Sequence, residues 1–305
     1  MALTQQQTQD RLGYVGASEV GALFGAHPYT TRLQVYLEKT GQITREQMDN
    51  NQFIKWGNRL EAPIARGIAE DEGWTIRKVN SHLMHKSVPG MGCLQDFEII
   101  DHPDGPAPFE IKNINHWATR SGWILDEAEE APVHIELQLQ HQMACTGRDW
   151  GAIGALRGGN DAIVIVRERD PKIIAKIEEE VGAFWEMVLS KTEPELDPER
   201  DLKTMQLLYP NAVAGKVEDL SGHKESLFAY EMYHRGHKWL KHGEGMKEAA
   251  KAILMYHAGD AERVKLGEID GEPRELVLNY VKRKVKAQDE RFDEFREFRF
   301  RKDKD

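Results

Sequence analysis

The sequence predicts an α/β protein in which a central mixed β-sheet is flanked by helices and followed by a C-terminal module of helices and a β-hairpin. The first observation that favours the sheet is a pair of alternating, apolar segments, 93–100 and 109–114. The connection between them, 101–108, is dense in Asp, Pro and Gly, which are residues that turns require. These segments therefore predict two antiparallel strands joined as a hairpin.

The second observation is the order of the segments that follow the hairpin. Apolar periodicity predicts a helix over 133–147 and another over 171–189. A run of β-branched residues between them predicts a strand over 162–166. Helices that alternate with strands are typical of a sheet covered by helices.

The third observation is a polar segment with two prolines, 191–198, which predicts a domain boundary. We therefore expect a core over 1–197 and a separate module over 198–305. The expected elements of the module are one or two amphipathic helices over 218–256 and a β-hairpin with its turn at Asp270-Gly271.

Composition excludes several classes of protein. The 305 residues contain two cysteines, Cys93 and Cys145, which are too few for a four-cysteine iron–sulfur cluster and fit a reducing compartment. No stretch approaches the length of a transmembrane helix, and residues 1–10 are polar, without the apolar segment of a signal peptide. We therefore expect a cytoplasmic protein that does not contact a membrane.

The predicted hairpin brings two carboxylates and one amine together. Alternate residues of a strand share a face, so Glu110 and Lys112 project the same way and Ile111 points into the core. Mg²⁺ prefers carboxylate and carbonyl oxygens, which indicates Asp96, Glu110 and the backbone carbonyl of Ile111 as metal ligands, with Lys112 beside a metal-bound water. We expect Mn²⁺ to substitute. A solvated, charged hairpin without a metal is the alternative interpretation.

Three further segments extend the pattern. They are Arg11 to Val20 (RLGYVGASEV), Trp56 to Glu61 (WGNRLE) and Gln138 to Gln142 (QLQHQ). In this order, with the hairpin between the second and the third, they resemble the YqaJ-type phage recombinase nucleases and the lambda exonuclease family, which belong to the PD-(D/E)XK nuclease superfamily. The resemblance runs from about residue 11 to about residue 197 and implies a PD-(D/E)XK core.

The resemblance also implies a function and a set of roles. It implies a Mg²⁺-dependent 5′-to-3′ exonuclease that degrades one strand of linear double-stranded DNA and leaves 3′ overhangs for single-strand annealing. By position, the family's metal-binding carboxylates match Asp96 and Glu110, its catalytic lysine matches Lys112, its extra acidic residue near the metals matches Glu61, and its 5′-phosphate contacts match Arg11, Ser18 and Gln138.

This chain departs from the family around the aspartate. The family usually reads Ser-Pro-Asp-Gly there, whereas this chain reads Leu94-Gln95-Asp96-Phe97. The missing Pro and Gly change the expected turn geometry. Glu98, which would share a strand face with Asp96, is therefore an alternative metal ligand.

Several of these residues also have an ordinary structural explanation. Ser18 precedes the apolar stretch 20–24 and could be the N-cap of a helix there. Glu61 could open a helix that runs to about Glu72, where the helix dipole favours an acidic residue. Gln138 and Gln142 lie one turn apart and could form the polar edge of their helix.

The resemblance further implies partners and an assembly. These are double-stranded DNA ends, a single-strand annealing or single-strand DNA-binding protein, and further copies of the chain in a ring-like homotrimer, within the cytoplasm of a bacterial host if the protein is phage-encoded. The net charge of −10 does not exclude DNA, because positive charge can be concentrated in one groove. The alternative functions are a structure- or sequence-specific endonuclease of the same superfamily and a non-catalytic module that binds DNA ends or a partner.

Overall fold

The computed structural model describes residues 10–44, 52–79, 81–115, 123–125, 128–269 and 272–277. The chain forms two compact units, residues 1–210 and residues 211–305. Each unit is described by itself.

The first unit contains helices and short strands in alternation. After a 3₁₀ turn at Arg11–Gly13, its helices are α1 (Val20–Leu23), α2 (Arg32–Lys39), α3 (Gln52–Glu72), α4 (Val133–Thr146), α5 (Pro171–Ser190) and α6 (Leu202–Leu208). Its strands are β1 (Ile76–Lys78), β2 (Leu83–Met84), β3 (Gly92–Cys93), β4 (Phe97–Ile99), β5 (Ala107–Ile114), β6 (Ile124–Leu125), β7 (Ala128–Glu129), β8 (Trp150–Arg157) and β9 (Asp161–Glu168).

A five-stranded mixed sheet lies at the centre of this unit, in the order β1-β4-β5-β8-β9. Strands β4 and β5 form the predicted antiparallel hairpin, with Phe97 opposite Phe109. Strands β5 and β8 are parallel, and β8 and β9 are antiparallel. Parallel neighbours need a crossover connection, and the chain between β5 and β8 includes α4. The predicted fold class, a central mixed sheet flanked by helices, is confirmed.

The two faces of the sheet are covered by different helices. On one face, Ile64 and Ile68 of α3 pack in one apolar cluster with Phe109 and Ile111 of β5. Another cluster joins Leu139 of α4 to apolar residues of β8, β9 and α5. Because β5 alternates, Glu110 points away from α3 and contacts α4, as its hydrogen bond to that helix shows.

Strand β8 was not among the predicted elements, although it is central and buried. It contains two glycines, which weaken strand patterns in a sequence. Neither position has room for a side chain. A Cβ on Gly154 would lie 2.7 Å from Phe109 Cε2, and a Cβ on Gly151 would lie 2.8 Å from Leu139 Cδ1. Packing against these side chains therefore requires glycine at both positions. The glycines in turn weaken the strand pattern, so the sequence does not predict this strand.

Helix α3 differs from its prediction. The structure extends it from Gln52 to Glu72, so that Glu61 lies near its middle and the prediction that Glu61 opens the helix is wrong. Pro63, a residue type that is typical of a first helical turn, lies inside this helix. The helix dipole therefore does not explain an acidic residue at position 61.

Residues just after the predicted boundary pack on the first unit. Thr31 donates a hydrogen bond to Asp201, and Arg200 donates to the backbone carbonyls of Gly25, His27 and Thr30. The first unit accordingly extends through residue 210, beyond the expected boundary at 197/198.

The second unit contains one long helix and a hairpin. Helix α7 (Lys224–Ala258) has 35 residues, and β10 (Arg263–Ile269) pairs antiparallel with β11 (Glu272–Val277). This matches the expected helical and β-hairpin module, while the predicted turn at Asp270-Gly271 lies outside the described residues. Across the described part of the chain, none of the helices has the length and apolar character needed to cross a membrane.

Candidate active site

The hairpin brings Asp96 against the centre of β5. Asp96 lies at a bend directly before β4, and its Oδ2 accepts a hydrogen bond of 3.0 Å from the backbone N–H of Ile111. The N–H and C=O of a strand residue point to the same side, so the Ile111 carbonyl also lies toward Asp96. The bend forms without the Pro and Gly of the family pattern. Asp96, Glu110 and the Ile111 backbone are therefore neighbours, as the sequence predicted.

Glu110 is buried and held at both carboxylate oxygens. Its Oε1 accepts a hydrogen bond of 2.6 Å from Lys112 Nζ, and its Oε2 accepts one of 2.6 Å from Gln142 Nε2. Lys112 Nζ also donates to Gln138 Oε1 at 3.2 Å. Two glutamines one turn apart on α4 thus contact the two charged residues of β5, so the polar-edge interpretation of Gln138 and Gln142 is wrong.

The site carries excess negative charge. Burial raises the pKa of Asp96 well above its usual range, and the charges of Glu110 and Glu61 raise it further. Burial lowers the pKa of Lys112, but the charges of Glu110 and Asp96 outweigh this effect, so that its pKa is raised and the amine stays protonated. A divalent cation would relieve the repulsion between the carboxylates.

The donor atoms suit a hard cation. Asp96 and Glu110 offer carboxylate oxygens and Ile111 a backbone oxygen, and Mg²⁺ is commonly held by one or two carboxylates and several waters. Among the described residues, no group of three or more acidic, histidine or cysteine side chains could hold a metal by itself. The candidate metal set is accordingly the two carboxylates with the Ile111 carbonyl.

Glu61 and Glu98 have other partners. Glu61 is close enough to Asp96 to raise its pKa, but its carboxylate pairs with Lys78 of β1. Glu98 is buried, and its Oε2 accepts from Arg77 Nε at 2.8 Å and its Oε1 from Arg148 Nη2 at 2.7 Å. Because two guanidinium groups neutralise Glu98, the structure does not support it as a replacement for Asp96.

The expected phosphate contacts fall into two places. Arg11 Nη2 donates to Ser18 Oγ at 3.1 Å, whereas Gln138 contacts Lys112. Ser18 is not a helix N-cap, because α1 has four residues and is preceded by Glu19. Lys39 supports the first pair: its Nζ lies 2.7 Å from Glu19 Oε2 and donates to the Arg11 carbonyl at 2.7 Å.

A backbone bridge connects the N-terminal segment to the strand that leads to Asp96. Val15 pairs in parallel with Met91, its N–H donates to the Gly90 carbonyl at 2.7 Å, and its carbonyl accepts from the N–H of Gly92 at 3.2 Å. Strand β3 follows directly and ends three residues before Asp96. The segment with Arg11 and Ser18 is therefore anchored to the same strand region as the carboxylate site.

Two residues of α4 were not predicted as part of the site. Gln142 contacts Glu110, as described above, and His134 lies one turn before Gln138. Burial and the nearby charge of Lys112 lower the pKa of His134 to about 4, so its imidazole is neutral at pH 7. The signal that could have identified both is the spacing of polar residues at 134, 138 and 142, which places them on one face of a helix.

Comparison with known proteins supports the fold and the family resemblance. Residues 7–149 match the family model of the YqaJ-like viral recombinase domain. The uncharacterized protein YqaJ of Bacillus subtilis (strain 168) is 25% identical over 186 residues, which are 60% of this chain and 56% of that protein. The chain thus spans little more than half of the length of this curated relative.

Two solved structures of one exonuclease match this chain. The alkaline exonuclease LHK-Exo from Laribacter hongkongensis has a TM-score of 0.50 and 24% identity, over 62% of this chain and 94% of that chain. The complex of LHK-Exo with dAMP has a TM-score of 0.49 over the same shares of both chains. The first unit thus has a fold similar to that of this alkaline exonuclease. Residues 7–149, a little under half of the chain, match the YqaJ-like viral recombinase domain, which confirms the resemblance found in the sequence.

Proposed function

We propose that this protein is a Mg²⁺-dependent 5′-to-3′ exonuclease that degrades one strand of linear double-stranded DNA and leaves 3′ overhangs. The observation that carries the proposal is the contact of Asp96 with the Ile111 N–H next to the buried Glu110–Lys112 ion pair. Two carboxylates and a lysine on one hairpin are the groups that metal-dependent phosphodiester hydrolysis needs. The match of residues 7–149 to a recombinase domain and the exonuclease-like fold agree with this chemistry.

Each residue of the carboxylate site has a role in this proposal. Asp96, Glu110 and the Ile111 carbonyl would hold Mg²⁺, or Mn²⁺ in its place, since both take oxygen ligands. A metal held there would lower the pKa of the attacking water and neutralise charge on the phosphodiester. Lys112, protonated beside Glu110, orients the attacking water and stabilises the negative charge that develops on the phosphate. Glu61 assists through its charge near Asp96.

The pair Arg11 and Ser18, with Gln138, would hold the 5′-terminal phosphate of the substrate. A guanidinium group forms strong, charge-assisted hydrogen bonds with phosphate oxygens. Gln138 contacts Lys112, so it would connect the held end to the reacting phosphodiester. This arrangement favours an exonuclease over an endonuclease, which has no use for a bound strand end.

The proposed setting is the one that the family resemblance implies. The substrate is a linear duplex end, the product strand is passed to a single-strand annealing or single-strand DNA-binding protein, and the chain acts as a homotrimer in the cytoplasm. The second unit, 211–305, would act as a tether to the annealing protein, because linking two modules raises the effective concentration of the second encounter.

The decisive experiment compares linear duplexes labelled at either the 5′ or the 3′ end, with and without Mg²⁺, and a covalently closed circle. We expect Mg²⁺-dependent release of the 5′ label and an intact circle. Cleavage of the circle would indicate the endonuclease alternative. Binding of duplex ends without cleavage in Mg²⁺ or Mn²⁺ would indicate the non-catalytic alternative.

A further inference from the structure

We infer that Gln142 is the positioning residue for Glu110, and that it sets the affinity of the carboxylate site for its divalent cation. The inference rests on the proposed function in one respect, the assignment of Glu110 as a metal ligand. It concerns a residue of α4 that is not itself a metal ligand in the proposal.

The contact between Gln142 and Glu110 is short and enclosed. Gln142 is 0% exposed and Glu110 is 2% exposed, and Gln142 Nε2 donates to Glu110 Oε2 at 2.6 Å. The other oxygen of Glu110 accepts from Lys112. Glu110 is thus held from two directions, by a charged group of its own strand and by a neutral amide of the facing helix.

The orientation of the Gln142 amide is determined by this contact. If the amide were rotated by half a turn, its oxygen would face the carboxylate oxygen and repel it. In the observed orientation, Gln142 Oε1 is buried and has no hydrogen-bond partner within the described part of the chain. A buried acceptor without a partner is unfavourable for folding. Fold stability alone therefore does not explain a glutamine here, whereas a donor aimed at Glu110 does.

A hydrogen-bond donor at this position controls the orientation of the Glu110 carboxylate toward a cation. Carboxylates that bind metals are commonly oriented by hydrogen bonds from outer residues, and loss of such a partner lowers metal affinity by about 10- to 100-fold. An amide donor fixes the plane of the carboxylate without adding charge. Glu110 is thereby held in one orientation, close enough to Asp96 for the two charges to interact.

Gln140 provides a matched control. It lies two residues earlier on α4 and is 4% exposed, so it is similarly buried. Its Nε2 donates to the Glu168 carbonyl and its Oε1 accepts from the N–H of Asp170, both at 2.9 Å. Gln140 therefore serves the fold and has no contact with the carboxylate site.

The test measures Mn²⁺ binding by calorimetry to the full chain without DNA, for wild type, Gln142→Met and Gln140→Met. Methionine has a similar shape but donates no hydrogen bond. We expect Gln142→Met to raise the Mn²⁺ dissociation constant by about 10- to 100-fold with little change in Tm. Gln140→Met should lower Tm and leave Mn²⁺ binding unchanged. If Gln142→Met does not fold, Gln142→Asn, whose amide is too short to reach Glu110, is measured in the same way.

A kinetic measurement separates positioning from catalysis. In Gln142→Met, the Mg²⁺ concentration for half-maximal cleavage should rise in parallel with the Mn²⁺ dissociation constant, and saturating Mg²⁺ should restore most of the rate. Unchanged Mn²⁺ binding in Gln142→Met, an equal change in Gln140→Met, or a wild type that binds no Mn²⁺ would overturn the inference. A wild type that binds Mn²⁺ but cleaves no DNA would overturn the proposed function, while the two dissociation constants would still decide the role of Gln142.

Discussion

Helices α4 and α7 use polar and apolar residues in opposite ways. Of the 14 residues of α4, nine are buried, and three of these are glutamines. Of the 35 residues of α7, which the structure describes throughout, Ala258 is the one that is buried. Buried polar groups need specific partners, whereas exposed polar groups are satisfied by water. The comparison shows that the buried polar side chains, and not the exposed ones, mark the candidate functional site.

The partners of the two helices bear this out. On α4, Gln138 contacts Lys112 and Gln142 contacts Glu110. On α7, large apolar side chains are exposed, with Phe228 at 61% and Trp239 at 78%. Its ion pairs, such as Lys251 with Glu248 at 2.7 Å, are solvated surface contacts of the kind that contributes little. We therefore expect substitutions near α4 to affect the reaction and those on α7 to leave it unchanged.

The largest effect is expected at the groups that face α4. Glu110→Gln or Lys112→Ala should reduce strand degradation by about 10²- to 10³-fold, since each removes charge that acts directly on the reaction. The double variant should lose little more than either single one, because such residues act as a unit. Trp239→Ala on α7 should keep the wild-type rate. Rates are compared after circular dichroism confirms folding, and a folded Glu110→Gln with normal turnover would refute the assignment.

The next effect concerns the end of the substrate. Arg11→Ala should reduce the preference for a 5′-phosphate over a 5′-hydroxyl duplex by about 10- to 100-fold, as expected for hydrogen bonds to a charged group. Arg235→Ala is the control, because Arg235 pairs with Glu231 on the exposed surface of α7. The measurement is the ratio of initial rates on the two duplexes. A wild type without any preference, or one that releases nucleotides from the 3′ end, would contradict the assigned phosphate contacts.

A third prediction separates a structural carboxylate from the reactive ones. Glu98→Gln should lower the free energy of unfolding by about 1–3 kcal/mol, because it leaves Arg77 and Arg148 without the charge of their buried partner. The loss is limited because both arginines are partly exposed, so that water screens their charges. The rate of cleavage per folded molecule should not change. Glu248→Gln on α7 should change stability by less than about 0.5 kcal/mol. Urea unfolding gives the free energies, and a Glu98→Gln protein of normal stability but no activity would reverse the assignment.

The smallest effect is expected when α7 is removed altogether. A chain that ends after Pro210 should cleave short duplexes at the wild-type rate, because the described contacts of the carboxylate site lie within the first unit. A chain that ends after Pro198 should be less stable, since it lacks Arg200 and Asp201 with their contacts to 25–31. Sedimentation and thermal unfolding compare the two chains. An inactive or insoluble 1–210 chain would show that the second unit completes the fold.

The hairpin and its carboxylates could be predicted because their signals are local. Strand alternation places Glu110 and Lys112 on one face whatever surrounds them. The roles of Glu98 and Gln142 could not be predicted in this way. They depend on contacts with Arg148 and Glu110, from which they are separated by 50 and 32 residues in sequence.

Other elements could not be predicted because the same residue type occurs in two structural contexts. Gly151 and Gly154 in β8 resemble loop residues in sequence, but they are small because Leu139 and Phe109 lie against them. Pro63 indicates a helix start, yet α3 continues through it. Periodicity predicted α4 correctly, but it could not show that the polar residues of that helix face the protein interior.

The bridge between Val15 and Met91 bears on the length of the reaction product. Next to this bridge, Trp185 packs directly on Gly90, where a Cβ would lie 2.0 Å from Trp185 Cδ2. The backbone of the segment with Arg11 and Ser18 is thus joined to the strand that leads to Asp96. For the proposed exonuclease, this backbone connection would set the distance between the held strand end and the bond that is cut. Each catalytic cycle would then release a fragment of the same size, whatever the base sequence.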